Sequence, residues 1–117
     1  MKTKIPDFSG LKKGWDSYNA EVPTENSINV ATMVASIMEV SFDLPPDRIA
    51  ADVNGGVGIT LRRNGKMLYV WCLNNGKWCA IFGNDGPGDD TLTFASERMN
   101  VVELMQQIKP RLTGDKS

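Results

Sequence analysis

Three turn signals stand close together in the middle of the chain: Asn54-Gly55-Gly56, Asn64-Gly65 and Asn75-Gly76. Asn and Gly tolerate the positive φ that a tight hairpin requires, and Asn-Gly between alternating apolar residues is the strongest short-range hairpin signal. The segments they separate have strand length: Arg48 to Val53, Val57 to Arg63, Lys66 to Leu73 and Lys77 to Gly83. A short fifth strand over Thr91 to Phe94 would follow. Such a series folds most simply as an antiparallel meander.

Two helical patterns flank it. Thr24 is a suitable N-cap, and Glu25 places a negative charge in the first turn, where the helix dipole favours it. From Glu25 to about Val40, residues Ile28, Ala31, Val34, Ala35 and Met38 recur at helical spacing. Val30, Met33, Ile37 and Val40 form a second apolar row, which predicts a helix buried around most of its circumference. Pro45-Pro46 stop it. A second helix is capped by Ser96 or by Asn100, which has capping-box spacing to Glu103, and it carries the stripe Val101, Leu104, Met105, Ile108. Pro110 is expected to end it. Ahead of Gly14 a short helix is expected over residues 7–13, with residues 1–6 and 113–117 loose. The expected fold is α+β: a single domain over 1–117, an antiparallel four- to five-stranded β-meander with two main helices packed on one face.

The hairpins also predict a register. A two-residue turn at Asn64-Gly65 sets Leu61 opposite Leu68, Ile59 opposite Val70 and Val57 opposite Cys72. A two-residue turn at Asn75-Gly76 would set Cys72 opposite Cys79, Val70 opposite Ile81, Trp71 opposite Ala80 and Tyr69 opposite Phe82. Side chains alternate with period two, so one face would be aliphatic and covered by the helices. The other would carry Thr60, Arg62, Met67, Tyr69, Trp71, Leu73, Trp78, Ala80 and Phe82. An aromatic face where a wet one is expected needs a cover: the N-terminal segment with Phe8, Leu11, Trp15 and Tyr18, or a partner molecule. In this register Cys72 and Cys79 form a cross-strand pair that could close a disulfide under oxidising conditions; inside a cell two reduced thiols are expected.

Composition narrows the chemistry. The chain of 117 residues has 13 basic and 14 acidic residues, no histidine and a formal charge of −1. Without histidine, no Ser-His-Asp or Cys-His site can be built from this chain, and two cysteines cannot make a four-thiolate metal site. Near-neutral charge argues against a general nucleic-acid binder. No apolar run approaches the roughly 18 residues of a membrane span, and no signal-peptide pattern follows Met1, so a cytoplasmic protein without membrane contact is expected. Gly83 to Asp90 is rich in oxygen-bearing side chains but lacks the spacing of a calcium loop; a plain loop with no metal is expected. Asn54 to Gly58 lacks the Lys-Ser/Thr of a phosphate-binding loop, so no cofactor is expected. Between residues 14 and 60 the acids Asp16, Glu21, Glu25, Glu39, Asp43, Asp47 and Asp52 face only Arg48. That segment is a solvated face or a docking surface for a basic partner.

The segment Gly14-Trp15-Asp16-Ser17-Tyr18-Asn19-Ala20, followed by Pro23 and a helix, resembles a family of small proteins of bacteria and their phages with the signature G-W-D-x-Y-x-A. Pro45-Pro46, the turn Asn54-Gly55-Gly56 and the strand-turn-strand ending in Phe82 are similar to that family's second half, and the likeness covers about residues 11–109. Ser17 and Asn19 stand at its variable positions. The family has no established enzymatic activity, so the resemblance carries over no catalytic residue; it implies a bacterial or mobile-element setting.

These readings converge on a non-enzymatic protein-binding module. With the resemblance, they suggest a phage or mobile-element inhibitor of a bacterial defence system, anti-CRISPR-like, that acts by occluding a surface. The expected partner-binding residues are Tyr69, Trp71, Trp78, Phe82 and Arg62. A nucleic-acid-binding accessory protein is the alternative and would need Arg62, Arg63, Lys66 and Lys77 clustered beside aromatics. A homodimer joined through the aromatic face is the other.

Overall fold

The structure, a computed structural model, describes residues 22–84 and 91–113. Helix α1 spans Glu25–Ser36 and continues as a π-helical turn over Ile37–Ser41. Five strands follow: β1 (Arg48–Ala51), β2 (Val57–Arg63), β3 (Lys66–Cys72), β4 (Trp78–Asn84) and β5 (Leu92–Ala95). Helix α2 spans Val101–Thr113. The strands pair antiparallel in sequence order, so the sheet is the expected meander and the fold is α+β.

The Asn64-Gly65 turn behaves as its sequence predicts. Both residues have positive φ, 52° and 76°, and Arg63 pairs with Lys66. Ile59 therefore faces Val70 and Val57 faces Cys72. The Asn75-Gly76 turn does not. Leu73 N–H donates to the Lys77 carbonyl at 2.8 Å, and Gly76 N–H donates to the Leu73 carbonyl at 3.0 Å. This is a three-residue loop, Asn74-Asn75-Gly76, with Gly76 at φ 88° supplying the left-handed bulge residue. The extra loop residue slips β4 by one position. Cys72 faces Trp78, Trp71 faces Cys79, Val70 faces Ala80 and Leu68 faces Phe82. Every β4 side chain thus changes face relative to the two-residue expectation.

Two forces favour the slip. Trp78 and Phe82 move to the helix-covered side and become buried, which removes far more apolar surface from water than burying Cys79 and Ile81 would. Asn74, freed from strand pairing, ties the turn to the start of α1. Its Oδ1 accepts from Thr24 N–H and its carbonyl accepts from the Thr24 hydroxyl, both at 2.8 Å.

The core lies between the sheet and the helices. Val57, Ile59 and Leu61 from β2, with Leu68, Val70 and Cys72 from β3, meet Ala31, Val34 and Met38 from α1 and Val101, Leu104, Met105 and Ile108 from α2. Thr24 caps α1 through its side chain. The helix is closed by a Leu44 N–H bond to the Met38 carbonyl at 2.8 Å around Asp43 at φ 55°, before Pro45 is reached. The second apolar row of α1 is not buried as expected: Met33 is 46% and Val40 73% exposed. A single sheet contacts one side of the helix, and the described chain places no second layer over the other.

The capping box of α2 forms, with Asn100 Oδ1 accepting from Glu103 N–H at 2.8 Å. The helix runs past Pro110 instead of ending there. Leu112, fully buried, adds one more apolar residue to the stripe, and Asn64 Nδ2 donates to its carbonyl at 2.6 Å. Tertiary contact at the last turn offsets the N–H that Pro110 lacks. The short helix expected over residues 7–13, the loose segment 1–6, residues 114–117 of the segment 113–117 expected to be loose, the Gly14–Ala20 motif and residues 85–90 of the acidic loop lie outside the described residues, while Thr113, expected to be loose, closes α2.

Candidate functional site

Of the five expected partner-binding residues, the sheet brings Tyr69, Trp71 and Arg62 to its outer face, away from the helices. Trp78 and Phe82 are not there. Each is 5% exposed and belongs to the core, as the slipped register requires. Cys79 and Ile81 take their places on the outer face, and Ile81 is 47% exposed.

Tyr69 and Trp71 are both anchored to the β1–β2 turn. The Tyr69 ring lies across Gly58, so closely that a Cβ at that position would stand 2.0 Å from its hydroxyl oxygen. The hydroxyl donates to Asp52 Oδ2 at 2.7 Å. The other carboxylate oxygen of Asp52 accepts from Asn54 N–H at 2.9 Å, so one side chain organises the turn and holds the ring. Trp71 Nε1 donates to the Gly55 carbonyl at 2.7 Å. Burial pushes the Tyr69 phenol above its ordinary range, and its hydrogen bond to Asp52 and that acid's charge push it further. Beside it a hollow of about 230 Å³ is lined by Arg48, Asp52, Gly58, Thr60 and Tyr69.

The cysteines sit on opposite faces of the sheet and both are free. The expected Cys72–Cys79 cross-strand pair is therefore absent, because the slip separates them. Burial raises the Cys72 thiol to about 12, with a smaller contribution from Cys79. The Cys79 thiol is also raised, by burial and then by the charge of Asp52.

The basic residues do not gather. Arg63 Nη1 reaches both oxygens of Asp47, at 2.9 and 3.1 Å, and its Nη2 donates to the Pro45 carbonyl at 3.0 Å. Arg63 thus fastens the Pro45-Pro46-Asp47 approach to the sheet. Asp47 also accepts from the backbone N–H of Arg62, whose side chain stays exposed on the outer face. Lys66 Nζ donates to Asn84 Oδ1. Lys77 stands at the opposite end of the sheet, paired with Glu97 at 2.7 Å; that contact holds the Glu97 carboxyl below its usual range. No group of His, Cys, Asp and Glu suited to a metal ion occurs among the described residues. No helix among them is long and apolar enough to cross a membrane.

A second surface lies on the other side of the molecule. Met33 and Ile37 of α1, Met99, and Val102 of α2 line a groove of about 330 Å³ between the helices, with Trp78 as part of its wall. Val40, in the π-helical turn that follows α1, is the most exposed of the large apolar side chains among the described residues. The signal for this surface was present in the sequence as the second apolar row of α1, where it reads as core.

No protein-family model, curated protein or solved structure matches the chain.

Proposed function

We propose that this chain is a non-enzymatic protein-binding module whose contact surface is the groove between α1 and α2. One observation carries the reading: Met33 and Val102, 46% and 40% exposed, stand open to solvent across a groove whose floor is the partly buried Ile37 and Met99. Contiguous aliphatic side chains in water are unfavourable unless a partner removes them from it. Methionines suit such a surface because the unbranched thioether adapts to the shape it meets. Trp78 stiffens one wall through its burial. The partner chemistry that fits is an apolar stretch of another protein, a helix face or a loop carrying two or three large side chains.

The outer sheet face is the weaker candidate. Tyr69 and Trp71 already use their polar tips within the chain. A nucleic-acid site is less favoured still: Arg63, Lys66 and Lys77 each have an internal partner, and Lys77 lies at the far end of the sheet. The small size and the G-W-D-x-Y-x-A resemblance support a more specific form of the proposal, a phage or mobile-element inhibitor that covers a working surface of a bacterial defence protein.

The test is capture of the tagged chain from a bacterial lysate treated with nuclease, alongside a Met33→Asp, Val102→Asp variant. Both positions are exposed, so the variant keeps the fold. A stoichiometric protein that binds the parent chain and is lost from the variant supports the groove. Retention of the partner by that variant, with loss in Trp71→Ala, moves the site to the sheet. A catch that disappears with nuclease overturns the reading.

A further inference from the structure

We propose that β5 is the edge through which two copies of this chain pair, strand to strand about a two-fold axis at Thr93, to make one continuous sheet. The sheet order leaves β1 and β5 as its edges, and the two are not alike. β1 is guarded: Pro45, Pro46 and Asp47 lead into it, Arg48 begins it and Asp52 follows it. Proline and charge at an edge keep other strands from adding to it. From Thr91 to Ala95 the β5 edge has neither, and Leu92 is 40% exposed.

The hydrogen-bond phase of the sheet fixes which backbone groups β5 leaves over. Ser96 N–H donates to the Trp78 carbonyl at 2.9 Å, so Trp78 and Ser96 are a bonded pair. Bonded and non-bonded pairs alternate along an antiparallel ladder. Ala80 with Phe94 and Phe82 with Leu92 are therefore bonded, and the intervening Thr93 and Ala95 turn their N–H and carbonyl groups away from β4, as does Thr91. Of these backbone groups, the Ala95 carbonyl alone has a partner among the described residues, the Arg98 N–H at 3.0 Å.

The leftover groups are self-complementary, because residues 91, 93 and 95 are evenly spaced about Thr93. A second copy laid antiparallel along the same edge sets Thr93 against Thr93 of that copy, and Thr91 against its Ala95, each as a bonded pair. Leu92 then stands opposite Phe94 of the second copy, at the non-bonded positions where side chains approach most closely. Both project on the helix side of the sheet, where Phe94 packs on the core and Leu92 lacks cover. A hollow of about 550 Å³ beside β5, lined by Thr93, Phe94, Ala95, Arg98 and Met99, gives those side chains room. The symmetry of the edge is what selects a second copy over an unrelated peptide, and an isologous contact of this kind closes at two chains. One short edge is a small interface, so half-association is expected at about 10–100 μM. The inference does not rest on the α1–α2 groove, although Met99 lines both hollows.

Sedimentation velocity of the full chain from about 5 to 500 μM tests the pairing. The parent should move from the 12.9 kDa monomer toward twice that mass. Thr93 is exposed and its backbone groups are not bonded to β4, so Thr93→Lys and Thr93→Glu keep the fold. Each alone places like charges opposite one another at the axis and should weaken association at least tenfold. An equimolar mixture of the two should recover it, because lysine then meets glutamate. A parent that stays monomeric throughout overturns the proposal. So does association that both variants leave unchanged, a mixture that recovers nothing, or loss of the dimer in Met33→Asp, Val102→Asp with retention in Thr93→Lys. If circular dichroism shows the charged variants unfolded, amide exchange of the parent decides. The Thr93 and Ala95 amides should exchange at least tenfold more slowly in concentrated than in dilute solution, and rates independent of concentration overturn the proposal.

Discussion

At Gly58 one added methyl group would meet a single side chain, that of Tyr69. Its Cβ would meet Tyr69 at 2.0 Å from the hydroxyl oxygen, 2.6 Å from Cζ and 2.8 Å from Cε1. The glycine has no positive φ, so alanine suits the backbone and the whole conflict is with the ring. The ring must swing away, and its bond to Asp52 goes with it. A hydrogen bond to a charged group contributes about 1.5–3 kcal/mol, while replacing glycine by alanine returns roughly 0.4–1 kcal/mol through the unfolded chain. Gly58→Ala should therefore destabilise the protein by about 2 kcal/mol, a fall in Tm of about 8 °C for a chain of this size.

The reasoning is tested by a double-mutant cycle read in urea by tryptophan fluorescence. With Tyr69→Ala in place there is nothing to displace, and Gly58→Ala should become neutral or stabilising by about 0.5 kcal/mol, giving a coupling energy of about 2.5 kcal/mol. Tyr69→Phe separates the two contributions. It lacks the hydroxyl but keeps Cζ and Cε1, so Gly58→Ala should still cost about 1 kcal/mol in that background. An equal cost of Gly58→Ala with tyrosine and with alanine at position 69 would show that the ring does not lie over Gly58, and the account of the outer face would fail with it.

Stability should fall in alkali: an exposed Cys thiol ionises near pH 8.5 in the unfolded chain, whereas Cys72 in the fold ionises at about 12. The stabilisation is complete below about pH 8.5 and is lost at up to about 1.4 kcal/mol per pH unit as pH rises toward the folded value, with Tyr69 adding to the loss above about pH 10. Urea midpoints measured from pH 8 to 10.5 should show this decline, and a Cys72→Ala chain with an unchanged slope would refute the assignment. Oxidation with diamide should yield no intrachain Cys72–Cys79 disulfide by peptide mapping, since the two side chains point from opposite faces; finding that bridge would restore the unslipped register.

The parts of the fold legible in the sequence are those where local chemistry leaves one solution. Asn64-Gly65 has both residues at positive φ, and the β2–β3 register follows from it, together with the placement of Tyr69, Trp71 and Arg62 on the outer face. Asn75-Gly76 has the same dipeptide but a longer loop, because Asn74 is engaged by Thr24, a contact across 50 residues that no local pattern reveals. Pro110 misleads for a related reason. Its local tendency to end the helix loses to Leu112 in the core and to the Asn64 bond at the Leu112 carbonyl. The second apolar row of α1 misleads differently: periodicity reports that side chains are apolar and share a helix face, and it is silent on whether the fold supplies anything to cover them.

That one-residue slip also decides which apolar side chains are left on the surface. In the unslipped register Trp78 and Phe82 would join Tyr69 and Trp71 in one open aromatic face. In the fold they are buried, and Trp78 reappears from the other side as a wall of the α1–α2 groove. The two apolar surfaces then differ in kind. On the sheet, the aromatic rings are fixed by bonds to Asp52 and Gly55. Along the helices, Met33, Val40 and Val102 are exposed and have no polar group to satisfy, and the unbranched Met33 can adapt its shape. Association gains most where apolar area is still exposed and no internal bond must be broken to reach it. By that criterion the aliphatic groove, and not the aromatic face, is the surface that fits the proposed binding role.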